Sequence, residues 1–194
     1  MRLTPEQRTE ILERHLHDHR HIDHQSIDDA IDDAVADATA GNGPSAALGA
    51  RIVARAWVDP EFRAHLLADA VAAVAQYQQQ AVPLAVLQDT QTVHHVIVCT
   101  LCSCYPSGIL GSPPAWYKSF AYRSRVVREP RAVLAEFGME LEPGIEIRVH
   151  DSTAEQRYLV LPLRPDGTDG WDIDALAALV TRNSMIGTGR PLPP

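Results

Sequence analysis

The chain's three cysteines, Cys99, Cys102 and Cys104, all fall within six residues. An odd, crowded set of thiols cannot build a disulfide framework, so the fold has to be held by a core. The N-terminal run MRLTPEQRTEILERH has no apolar export signal, which makes the cytoplasm the expected location. There, clustered thiols read as metal or redox chemistry. Directly upstream, His94-His95-Val96-Ile97-Val98 is short, apolar and β-branched, which places the thiols on a loop leaving a strand. At 194 residues and 45% hydrophobic, the chain suits one globular domain with an appendage. A net charge of −8 excludes a nucleic-acid binder, which would need clustered Lys and Arg. No run approaches the ~18 apolar residues of a membrane span.

Organisation follows from punctuation. Gly41-Asn42-Gly43-Pro44-Ser45 is the clearest boundary, separating an N-terminal arm, 1–43, from a domain, 44–194. The arm reads as helical: Thr4-Pro5-Glu6 is a helix start, and Ile27, Ile31 and Val35 form a stripe too narrow for a core of its own. Within the domain, residues 46–58 and 60–77 read as two helices divided at Asp59-Pro60, with Asp59 as cap. Strands are expected at Val82–Leu87, His94–Val98, Ile145–Val149 and Tyr158–Leu163. Ser112-Pro113-Pro114 breaks the chain. Further helices are expected over Pro130–Phe137, ending at Gly138, and over Asp172–Thr181.

The spacing Cys99-x-x-Cys102-x-Cys104 has its own geometry. A metal on the Cys104 sulfur also reaches the Cys104 backbone nitrogen, closing a five-membered ring. The Ser103 and Cys104 nitrogens close a second five-membered ring, and the Cys102 sulfur with the Ser103 nitrogen closes a six-membered one. Four donors then form a plane, with Cys99 below and one position open above. Peptide nitrogens become ligands only under strong polarisation, so this set wants a trivalent ion such as Co(III) or Fe(III). The competing arrangement is structural zinc, using the cysteines with His94 or His95. A redox pair fits less well, because no Cys-x-x-Cys opens a helix here. Three inert buried thiols so close together would be an unusual coincidence.

The segment Val98-Cys99-Thr100-Leu101-Cys102-Ser103-Cys104-Tyr105 resembles the metal motif of the nitrile hydratase α-subunit family. So do Pro113-Pro114-Ala115-Trp116-Tyr117-Lys118-Ser119-Phe120, Tyr122 to Arg131, Glu146 to Val149, Arg157-Tyr158, Gly170-Trp171 and Ala56 to Arg63. The likeness spans roughly residues 50–187. It implies an α+β fold with a four-layered α-β-β-α core and an extended helical N-terminal arm embracing a β subunit. Thr100 and Tyr105 stand where cobalt members carry Thr and Tyr, so the resemblance implies one Co(III) per chain, with Fe(III) the second choice. It implies Cys102 as sulfinate, Cys104 as sulfenate and Cys99 as thiolate, with Ser103 and Cys104 as amide ligands. The implied reaction is hydration of a nitrile to its amide, with arginines supplied by the β subunit and cobalt inserted by a chaperone. Arg157 is the expected supporting donor on this chain, and Gln80 lies near a pocket glutamine of the family. The related thiocyanate hydrolase γ subunit is the alternative enzyme, and a zinc-structural interaction module the alternative outside catalysis.

Two features depart from the pattern. After Tyr105-Pro106 the family commonly has a Trp lining the substrate pocket, where this chain has Ser107-Gly108. Losing an indole opens volume, so the expected substrate is a bulky, heteroaromatic nitrile such as that of the nucleoside toyocamycin. The second feature is the run His15, His17, His19, His21 and His24, in which His17, His21 and His24 share a helical face. It reads first as a solvated polar arm and second as a site that collects cobalt. His94 and His95 are expected to pack or pair at the strand edge.

Overall fold

The computed structural model describes residues 46–77, 83–102 and 104–194. The N-terminal arm with its histidine run, Gln80 and Ser103 lie outside the described residues.

Helix α1 (Ala47–Val58) buries Ile52, Val53, Ala54, Ala56 and Trp57. The Trp57 indole Nε1 donates to the Pro162 carbonyl at 2.8 Å, tying α1 to the chain beyond the last strand. Asp59 ends α1 and starts α2 (Pro60–Ala68), its Oδ1 accepting from the Phe62 nitrogen at 2.9 Å with Pro60 first in the helix. The single helix expected over 60–77 is instead two. Asp69 leaves helical geometry and its Oδ1 accepts from the Ala72 nitrogen at 3.0 Å, starting α3 (Ala70–Val74). A short carboxylate competes with the backbone for its own hydrogen bonds, and here it wins.

All four expected strands are present, with ends moved by a few residues. They are β1 (Leu84–Gln88), β2 (Val93–Val98), β3 (Glu146–Asp151) and β4 (Arg157–Leu161). They form two parallel pairs rather than hairpins. β1 pairs with β4, Leu84 opposite Arg157, and β2 pairs with β3, Val93 opposite Glu146 and Val98 opposite Asp151. β1 and β2 are consecutive yet sit in different sheets, joined by a turn in which the Thr90 hydroxyl accepts from the Val93 nitrogen at 3.0 Å. β2 and β4 bring the sheets together, α2 and α3 pack on β1, and α7 (Pro130–Glu136) packs on β3. The order is helix, sheet, sheet, helix: an α+β fold with the expected layering.

Three short helices follow the cysteines where periodicity shows nothing: α4 (Ser107–Leu110), α5 (Ala115–Lys118) and α6 (Phe120–Arg125). Each follows a residue that sets its entry, Pro106, Pro114 or Ser119, and the Ser119 hydroxyl accepts from the Tyr122 nitrogen at 3.1 Å. At four to six residues they are too short to carry an apolar stripe. Helix α7 stops as expected, with Gly138 at φ +78°. The helix expected to Thr181 ends at Leu179 as α8 (Ile173–Leu179), because Thr181 opens a further helix, α9 (Arg182–Ile186). Thr181 and Ser184 bond reciprocally there as a capping box. α9 ends at Gly187 with φ +86°, where a Cβ would lie 1.9 Å from the His95 carbonyl oxygen. Only glycine lets this turn press against β2. Among the described residues, no helix is long and apolar enough to cross a membrane.

Candidate metal centre

β2 runs buried into Cys99, which is fully enclosed, and the chain then leaves the sheet. Cys102 is exposed and Cys104 partly so. The three sulfurs form one cluster, all within 4.8 Å of one another. Cys99 Sγ stands 3.3 Å from Cys102 Sγ, which stands 3.2 Å from Cys104 Sγ. The Cys102 nitrogen donates to the Cys99 sulfur at 3.2 Å. The Cys104 thiol is pushed up to about 12, first by its hydrogen bond to Cys102, then by burial and the neighbouring sulfurs.

All three sulfurs are close enough to one another to bind a single ion. No fourth zinc ligand joins the cluster from the expected histidines. His94 Nδ1 meets Asp89 Oδ2 and its Nε2 meets the Gly187 carbonyl, both at 2.8 Å. His95 Nδ1 meets His150 Nε2 at 2.9 Å. Both histidines are buried and paired. The donor chemistry fits a thiophilic ion on this loop.

The loop is held from outside by three side chains that the sequence did not single out. At the end of β3, Asp151 takes two bonds from Thr100: the nitrogen donates to Oδ1 at 2.8 Å and the hydroxyl to Oδ2. From α5, the buried Tyr117 donates its hydroxyl to the Cys104 carbonyl at 3.0 Å. From α6, Arg123 Nη1 reaches the carbonyls of Cys102 at 3.3 Å and Thr100 at 3.5 Å. The neighbouring Tyr122 donates to the Ile97 carbonyl at 2.6 Å, fixing α6 to β2. Burial holds the hydroxyls of Tyr105, Tyr117 and Tyr122 above the ordinary tyrosine value, so they stay protonated. Arg157, the expected supporting donor, donates from Nη1 to the Ala154 carbonyl at 2.8 Å. Tyr117 and Arg123 lie in segments that carry the family resemblance, but no local spacing marks them or Asp151 as partners of the loop, which they meet from 13 to 51 residues away. Elsewhere, a cavity of about 500 Å3 opens beside Asp89, His94, Met139 and Arg164, and none of the cysteines lines it.

Fold and loop define a metal-binding α+β protein. The family described as nitrile hydratase, alpha chain, matches residues 4–189. The low-molecular-weight cobalt-containing nitrile hydratase subunit alpha of Rhodococcus rhodochrous is 56% identical over 150 residues, covering 76% of this chain and 72% of that protein. Thiocyanate hydrolase subunit gamma of Thiobacillus thioparus is 48% identical over 165 residues, 78% of this chain and 67% of that one. Among solved structures, a histidine double mutant of the Fe-type nitrile hydratase from Comamonas testosteroni Ni1 aligns with TM-score 0.75 and 40% identity, covering 97% of this chain and 91% of that one. The chain belongs to the nitrile hydratase α-chain family.

Proposed function

We propose that this chain is the α subunit of a cobalt nitrile hydratase, adding water across R–C≡N to give the amide R–C(O)NH2. The observation that carries the reading is the sulfur cluster, spaced at 3.2 and 3.3 Å on a loop leaving a buried strand, in a chain of this family. Cys99, Cys102 and Cys104, with the peptide nitrogens of Ser103 and Cys104, would hold one Co(III). Bound there, the ion would supply the Lewis acidity that polarises the nitrile.

The chain's own residues divide the remaining work. Cys99 is sealed in the core, whereas Cys102 is exposed and Cys104 partly so. Oxidants reach exposed thiolates, so accessibility supports sulfinate at Cys102, sulfenate at Cys104 and an unmodified Cys99. Asp151 and Tyr117 fix the backbone on either side. The anionic sulfur oxygens then need cationic donors. A partner β subunit is the proposed source, because Leu101 at the loop tip and Phe120 at the start of α6 are 90% and 79% exposed. Apolar side chains so placed want a covering surface. The arm, 1–43, is assigned to the same contact, Gln80 to the substrate pocket, and Arg157 to a supporting role near the sulfur oxygens.

Ser107 and Gly108 open α4 and are exposed immediately after the loop. That room supports a bulky heteroaromatic nitrile as substrate, of the toyocamycin type. The 48% identity to thiocyanate hydrolase subunit gamma supports a second reading, in which the same loop acts on thiocyanate. The decisive experiment co-expresses the chain with its partner in cobalt medium. It measures cobalt per chain, oxygen atoms on Cys102 and Cys104 by mass spectrometry, amide formation and carbonyl sulfide release. Amide from heteroaromatic nitriles with two oxygens on Cys102 and one on Cys104 is expected. Carbonyl sulfide without amide would establish the second reading, a strong preference for acrylonitrile would remove the bulky-substrate reading, and stoichiometric zinc would overturn both enzymes.

A further inference from the structure

We propose that Arg123 is a positioning residue for the metal loop, acting on the Ser103 nitrogen through the carbonyl oxygen of the same peptide unit. The inference rests on the loop being the metal claw assigned above, and adds a residue to it that binds no metal itself.

Three observations converge on this side chain. Its guanidinium Nη1 spans the loop between the carbonyls of Thr100 and Cys102, at 3.5 and 3.3 Å. Its base is anchored to the strand that delivers the loop, since the adjacent Tyr122 bonds the Ile97 carbonyl. Its Nε is buried and has no partner among the described residues. Neighbouring arginines are spent differently. Arg125 takes Glu129 and Glu136, Arg128 takes the Ser124 carbonyl, and Arg131 takes carbonyls at 141, 142 and 145. Among the described residues no carboxylate pairs with Arg123. A part-buried cation without a counter-ion is costly on its own, and it stands against the loop whose donor set becomes anionic on the reading above.

The chemistry of a peptide makes the link. Oxygen and nitrogen of one amide share a plane and a π system, and the unit that ends at the Ser103 nitrogen begins with the Cys102 carbonyl. Holding that oxygen fixes the plane in which the nitrogen lies. Negative charge on a ligating peptide nitrogen is shared with its oxygen, and Arg123 donates a charge-assisted hydrogen bond to that atom. Tyr117 holds the Cys104 carbonyl, which shares its peptide with the Tyr105 nitrogen, not with a ligating one.

The test uses the whole enzyme, assembled with its partner and matured with cobalt. Arg123→Met removes donors and charge, Arg123→Gln keeps a donor without the charge, and Arg123→Lys keeps the charge. Each is read by cobalt per chain after dialysis against a chelator, by the sulfur-to-cobalt absorption band, and by melting of the metal-free assembly. Loss of an outer partner of a metal ligand weakens retention by roughly 10- to 100-fold. That loss is expected for Met and Gln, with an altered band and near wild-type melting without metal, and partial rescue is expected for Lys. If Met does not assemble, Gln decides alone. Wild-type retention and band in Gln overturn the inference, as does an equal fall in melting temperature with and without cobalt. If the wild-type assembly shows no trivalent cobalt band, the reading of the loop itself fails, and this inference falls with it.

Discussion

Single residues around the loop carry more than their exposure suggests. Asp151 accepts both the nitrogen and the hydroxyl of Thr100. In Asp151→Asn the amide's NH2 would face one of those donors, leaving it to water. A lost hydrogen bond at an exposed site costs about 0.5–1.5 kcal/mol, so a slightly lower melting temperature and poorer cobalt retention are expected together. Tyr117→Phe removes the donor to the Cys104 carbonyl while keeping the ring that packs on Tyr105 at 5.1 Å. Its cost is about 1–3 kcal/mol for the orphaned carbonyl. Urea unfolding of the metal-free assembly checks that figure, and an unchanged midpoint would show that water replaces the hydroxyl. The cysteine cluster was legible in the sequence because it is local. The loop contacts of Asp151, Tyr117 and Arg123 were not, because they reach the loop from distant positions and mostly through backbone atoms that any residue could supply.

Among elements, the junction of α9 with β2 is the tightest. Gly187→Ala would combine a left-handed φ with a Cβ 1.9 Å from the His95 oxygen. Strain and overpacking together make this worth more than about 3 kcal/mol, and soluble yield and melting temperature should both collapse. The β2–β3 pair carries a second device. His95 faces His150 at 2.9 Å, and both are held below the ordinary histidine value, chiefly by burial and then by neighbouring charges that include Arg148. Depressed histidines stay neutral when folded, while the unfolded chain takes up protons below about pH 6.5. Stability should therefore be flat above neutrality and fall on acidification through that value, by up to about 1.4 kcal/mol per pH unit for each histidine. Melting curves between pH 8 and 5 test the sign, and His150→Gln should flatten the slope. The strands themselves were readable from β-branched runs, but their pairing was not, since parallel partners lie dozens of residues apart.

At the scale of the whole molecule, the highly exposed Leu101 and Phe120 beside the cysteine loop support a covering partner surface. The isolated cobalt-loaded chain should therefore turn over nitrile far more slowly than the assembly, and mixing it with its β subunit should restore the rate. Equal rates for chain and assembly would show that the pocket needs no second wall. Deleting residues 1–43 should weaken that association, as measured by size-exclusion chromatography, while the domain keeps its melting temperature.

By itself the sequence determined what depends on short spacing. A run of six residues sets which chelate rings can close, and a capping residue or alternating run sets where an element begins. Tertiary structure alone decided which strands pair, that Asp69 and Thr181 divide helices, and which distant side chains grip the cysteine loop. The reason is range: ring size and capping act over a few bonds, whereas pairing and loop support depend on chain closure that only the packed core brings about.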